Sequence, residues 1–170
     1  MKYSRFSVVL GLVFCIATVA IAASPVEKML PAKNSVKGFS ILADSLQYGK
    51  GNDIAKIYDG GYELYTKHGV IDAARQMYQN GSDYIEITIH TMKSPQAAMN
   101  FLKYWQKENK IKSLTKTGQS TGFIISKPDV SMHFVVGKYY TTITAFNSPD
   151  KAIKNVKTFS SVIIKRIAKG

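Results

Sequence analysis

The chain has 170 residues, with 23 Lys and Arg against 11 Asp and Glu, so it carries a net charge of +12 at neutral pH. Its single cysteine, Cys15, lies in the N-terminal apolar run, so disulfides, thiolate metal sites and cysteine nucleophiles are all excluded from the rest of the chain. A strongly basic balance favours anionic partners such as lipid head groups or cell-wall polymers.

The N-terminus places Lys2 and Arg5 before an uncharged run from Phe6 to Ala23 that closes on small residues. This is the order of a secretory signal peptide, with Ala20 and Ala22 at the minus-three and minus-one positions, so residues 1–22 are expected to be removed. The run is short for a membrane span and ends in Ala-Ala-Ser-Pro rather than in charges, so no integral span is expected after cleavage. The remaining 148 residues suit one domain, with a net charge of +10 once Lys2 and Arg5 are gone.

Residues 23–50 are polar and hold Pro25 and Pro31, which reads as an extended lead-in to a single domain over 51–170. Asn52 or Asp53 can cap a first helix, in which Ile54, Ile57, Tyr58, Gly61, Leu64 or Tyr65, and His68 form one stripe. Two strands follow, Val70 to Tyr78 and Tyr84 to Met92, joined by an Asn80-Gly81 turn. In the second, Ile85, Ile87 and Ile89 alternate with Glu86, Thr88 and His90, so one face is expected buried and the other wet. Ser94-Pro95 opens a second helix, serine as cap and proline at the first helical position. After a lysine-rich connection, strands are expected at Ser120 to Ser126, Ser131 to Val136 and Tyr139 to Phe146, the last two turning on Gly137-Lys138. Ser148-Pro149-Asp150 starts a third helix with Ile153, Val156, Phe159, Ile163 and Ile167 on its core side. The order helix, two strands, helix, three strands, helix predicts an α+β fold, three helices packed on an antiparallel sheet of about five strands.

The most unusual chemistry is Tyr58-Asp59-Gly60-Gly61-Tyr62-Glu63-Leu64-Tyr65. Two glycines inside a helix cost about 1 kcal/mol each against alanine, so they are expected to mark close approach of the helix to the sheet, or a pocket wall. In the second case Asp59 and Glu63, four apart, share a helix face beside Gly60 and Gly61, with His90 as a further ligand contact. His68, His90 and His133 occur singly and without metal-ligand spacing, so no metal is expected. No hydrolase or nucleotide-binding signature is present, and no cofactor is expected. Lys103, Lys107 and Lys110, with Lys151, Lys154, Lys157, Lys165, Arg166 and Lys169, read as solvated helix faces or as a docking surface for an anionic polymer or membrane, with Tyr139, Tyr140 and Trp105 as its aromatic anchors.

The segment Ile57 to Val70, with Asp59-Gly60-Gly61 and Glu63-Leu64-Tyr65 at its centre, resembles the signature of an exported bacterial family, the domain of unknown function numbered 6599. Ile87 to Ala98, Leu30-Pro31 and Gly137-Lys138-Tyr139-Tyr140 are similar to further parts of its pattern, while Tyr62 and Met99-Asn100 depart from it. The resemblance implies export and an α+β domain and brings no activity. The leading expectation is a non-enzymatic periplasmic or secreted binding module. A hydrolase using Asp59 or Glu63 with His90 or His133 is the first alternative, and a cationic binder of anionic lipid or cell-wall polymer the second. Nucleic acid is not an expected partner, because an exported chain rarely meets it and no recognition motif occurs.

Overall fold

A computed structural model describes residues 23–58, 60–146 and 149–170. The expected signal peptide and its cleavage site, residues 1–22, lie outside the described residues. The chain forms an α+β fold built on one antiparallel sheet of eight strands. These are β1 (Ser40–Ile41), β2 (Gln47–Lys50), β3 (Val70–Asn80), β4 (Asp83–Met92), β5 (Thr115–Thr117), β6 (Ser120–Ile125), β7 (Val130–Val136) and β8 (Tyr139–Ala145). The sheet order is β1-β3-β4-β8-β7-β6-β5, with β2 beside β1 along the same edge of β3.

Alternation along the strands decides which helix each face receives. Ile85, Ile87 and Ile89 of β4, Phe134 of β7 and Ile143 of β8 are fully buried on one face. They pack with Ala152, Val156, Phe159 and Ile163 of the long C-terminal helix α3 (Pro149–Ile167). Val135 and Tyr140 face the other way, against Ala98, Phe101 and Leu102 of α2 (Pro95–Glu108). Ser94 caps α2 as expected, its hydroxyl accepting from the Ala97 amide at 3.1 Å. Three hairpins, β3–β4, β5–β6 and β7–β8, turn on two residues with glycine first, Gly81, Gly118 and Gly137, at φ of 59°, 59° and 54°. The first of these loops is Gly81-Ser82, one residue later than the expected Asn80-Gly81, because Asn80 and Asp83 close the ladder.

The sheet is wider than the five strands expected, for a physical reason. β1, β2 and β5 are two to four residues long and lie at the sheet's margins, where no alternating apolar pattern is needed. Residues 23–50, expected as an extended lead-in, supply β1, β2, a 3₁₀ turn at Glu27–Met29 and the buried Val26, Leu30, Val36 and Phe39. Phe39 meets Phe159 edge-on with centroids 5.0 Å apart, and Tyr78 donates to the Pro31 carbonyl at 2.8 Å. The segment therefore closes the α3 side of the core.

The expected first helix is split, so the helical segments exceed three. Gly51–Lys56 is a 3₁₀ helix and α1 covers only Tyr62–Lys67. Gly60 and Gly61 between them have φ of 82° and 73°, a left-handed conformation that only glycine adopts without strain. A Cβ at either would meet nothing within 4 Å, so conformation, and not close approach to the sheet, is what requires these glycines. Replacing Gly61 by alanine is expected to cost about 1–2 kcal/mol in urea unfolding. A loss indistinguishable from zero would show that the reversal is not held in the left-handed region.

Candidate functional site

Strand order brings three distant segments onto the α2 face of the sheet. His90 on β4 pairs with Tyr140 on β8, and His133 on β7 pairs with Thr142, so the two histidines flank β8. The His90 Nδ1 lies 3.1 Å from the Tyr140 carbonyl oxygen. A carbonyl only accepts, so the proton sits on Nδ1, and Nε2 accepts from the Tyr58 hydroxyl, which closes on it in a short hydrogen bond. Nδ1 of His133 lies 2.7 Å from the Tyr140 hydroxyl and its Nε2 lies 3.1 Å from Ser131 Oγ. A neutral imidazole donates one of these bonds and accepts the other. Tyr140, fully buried, thus serves both histidines, one through its carbonyl and one through its hydroxyl.

The split first helix completes the site. The turn at Gly60-Gly61 folds Tyr65 back over Tyr58, the rings stacking at 3.8 Å with 15° between planes. The Arg75 guanidinium sits 5.4 Å over the Tyr58 ring, 3.4 Å from Thr88 Oγ1 and 3.8 Å from the Glu86 carboxylate. Trp105, the chain's one tryptophan, leans on His133 from α2. Together these side chains border a recess of about 170 Å³ whose floor carries the hydroxyls of Thr88, Ser131, Thr142 and Thr144. The Trp105 indole N–H is buried and meets no acceptor among the described residues.

Burial fixes the charge state of this cluster. Desolvation pushes the pKa of both His90 and His133 down to about 4, so both are neutral at pH 7. Around His90, the Tyr140 carbonyl opposes the shift, while Arg75 and His133 add to it. Burial also raises the phenols of Tyr58, Tyr65 and Tyr140. The site is a set of neutral hydrogen-bonding groups with one ion pair, Arg75 and Glu86, at its border.

The residues singled out in the sequence are placed unevenly. His90 joins the hydrogen-bonded cluster but is fully buried rather than on a wet face, stacked against Tyr58 and Tyr65, and does not itself border the recess. Glu63 is exposed on α1 and Gly60 and Gly61 are exposed at the turn; none of the three borders the recess. Asp59 lies outside the described residues. α1 begins at Tyr62, so Glu63 lies in its first turn, and among the described residues the carboxylate at the recess is Glu86. His68 stacks on Phe101 at 5.0 Å, away from the other two histidines. Among the described residues, His, Cys, Asp and Glu do not gather in any group of three or more that suits a metal ion. Tyr58, Tyr65, Arg75 and Ser131 are contributors that sequence reasoning did not single out as site residues, while Trp105 and Tyr140, expected as aromatic anchors of a cationic docking surface, border the recess. The signal available was the alternation of Glu86, Thr88 and His90 and of Ser131 and His133, which gives this face polar positions in place of isoleucine.

The histidines make the fold acid-sensitive. Between pH 6.5 and 4 the unfolded chain takes up protons that the folded histidines refuse, so stability falls through that window and levels off below it. About 3 kcal/mol per histidine is at stake. The urea midpoint is expected to drop steeply from pH 6.5 to pH 4 in the native chain, and about half as steeply in His133→Gln. Equal midpoints at the two pH values would contradict buried, neutral histidines.

No family model matches the chain, and no curated protein matches it. Among solved structures it is similar to the extracellular domain of PknH from Mycobacterium tuberculosis, with a TM-score of 0.55 at 8% identity, over 85% of this chain and 95% of that one. At that identity the likeness is one of fold alone.

Proposed function

We propose that this chain is an exported, non-enzymatic accessory domain that binds a small hydroxylated group, of the size of one sugar ring, in the recess bordered by Trp105, Tyr65 and Arg75. The observation that carries this reading is the buried Trp105 N–H, without an acceptor among the described residues, beside four hydroxyls presented by a rigid sheet. An unpaired buried donor costs about 1–3 kcal/mol, which a ligand oxygen would recover. Aromatic walls with a few fixed polar groups are the usual composition of a small-molecule site. Export is supported by the signal-peptide pattern, and the similar fold is itself that of an extracellular domain. Membership of the domain family 6599 is a further part of the proposal, and rests on the Ile57 to Val70 segment.

Binding is favoured over hydrolysis by the chemistry of His133. Ser131 Oγ to His133 Nε2 to the Tyr140 hydroxyl has the outline of a nucleophile relay. A base in such a relay must become an imidazolium, which burial disfavours here by about 3 kcal/mol at this site. The group facing Nδ1 is a phenol rather than a carboxylate, so it supplies no counter-charge. Envelope attachment through the exposed Lys103, Lys107 and Lys110 is compatible with the same reading, the lysines bringing the domain to an anionic polymer and the recess taking one of its units.

Because the chain holds one tryptophan, its fluorescence reports on this recess alone. Titration with N-acetylglucosamine, glucose and short cell-wall glycans is expected to shift Trp105 emission, and Thr142→Val to weaken that response about tenfold, as loss of one hydrogen bond would. Unchanged emission with every sugar, together with labelling of Ser131 by a fluorophosphonate, would replace binding by hydrolysis.

A further inference from the structure

The opposite face of the sheet holds a second cavity that the recess does not explain. Strands lie about 4.8 Å apart and a helix with its side chains is about 10 Å wide, so one helix covers two or three strands. α3 lies over β7 and β8, and the segment 24–39 covers the side of β3. On this face α3 packs closely on β7 and β8 but not on β5 and β6, which lie at the margin of the sheet. The result is a groove of about 510 Å³ between them, within the range of small-molecule sites. Its apolar walls are Ile124, Met132 and Ile164, all half-buried; on α3, Ser160 and Lys157 complete it. Thr115 and Thr117 of the edge strand give it a hydroxyl rim.

The end of this groove is cationic. Lys157 also lines a neighbouring shallow recess with Lys154, and both lysines are exposed. Among the described residues neither forms an ion pair; the salt bridges found there join Lys56 to Asp53, Arg75 to Glu86 and Lys151 to Asp83. An apolar trough ending at two lysines is complementary to one chemistry, a hydrocarbon tail bearing a negative head. We infer that the groove between β6 and α3 binds a single-chain anionic amphiphile, its acyl tail on Ile124, Met132 and Ile164 and its head on Lys154 and Lys157. The tail gains by leaving water, the head by pairing with cations of a basic protein, and neither uses the Trp105 side of the sheet.

Laurate, dodecanol and dodecyltrimethylammonium tested by calorimetry on the processed chain beginning at Ala23 separate the possibilities. Laurate is expected to bind at least tenfold more tightly than dodecanol, and the cationic analogue not to bind. Lys154→Gln with Lys157→Gln is expected to bring laurate down to the dodecanol level. Ser161→Trp, a substitution at an exposed position lining the groove, is expected to abolish laurate binding while leaving the melting temperature within about 2 °C, as for surface changes. Trp105→Phe is expected to leave laurate binding unchanged, so that failure of the sugar site and failure of the groove read out separately. Equal affinity for the three amphiphiles, or laurate binding intact in Ser161→Trp, would overturn the inference, as would a groove that takes an extended peptide on β5 and excludes laurate.

Discussion

The structure depends on the pairing of β4 with β8. Seven residue pairs, from Ile85 with Ala145 to Thr91 with Tyr139, join segments about fifty residues apart in sequence. Each half of the chain makes its own local hairpins, and without this seam they would be two narrow sheets with half a core each. With it, Ile87 and Ile143 meet on the α3 face, and His90 meets Tyr140 on the α2 face. The same register therefore sets the core and the site, and a slip of one residue would turn both inside out.

The two faces are used differently. The α3 face is filled almost wholly with apolar side chains, aliphatic and aromatic, and leaves a groove at its β6 margin. The α2 face is a mixture: a compact apolar cluster at Phe101 and Leu102 passes directly into His133 and the tyrosines and threonines of the recess. Polar groups in that setting are tolerated because they satisfy one another. His90 has partners for both ring nitrogens, and so has His133. A network so closed resists protonation, which is why it suits recognition better than proton transfer.

Much of this architecture is legible in the sequence, and the parts that are not share a cause. Ser94-Pro95, the alternation around Ile85 to His90 and the stripe Val156, Phe159 and Ile163 locate α2, β4 and α3 because each element must hide one face. β1, β2 and β5 carry no such pattern, since a marginal strand of two to four residues is held by its neighbour's backbone. The helical stripe through Gly60 and Gly61 misleads, because Ile54 lies on one short helix, Leu64 and Tyr65 on another, and Ile57 and Tyr58 between them on neither. Site residues are the least legible: Tyr58, Arg75 and Tyr140 look like ordinary strand and helix residues until the β3-β4-β8 order places them together. That order depends on long-range pairing, which no local periodicity encodes.

The state of the two histidine rings tests this account most directly. Long-range nitrogen–proton NMR of the imidazoles, followed from pH 8 to pH 4, reads the proton position on each ring. His90 is expected to be neutral with its proton on Nδ1 throughout the range above pH 5, and His133 to be neutral alongside it. Two rings titrating together near pH 6.5, as solvent-exposed imidazoles do, would mean that β4, β8 and β7 do not enclose them.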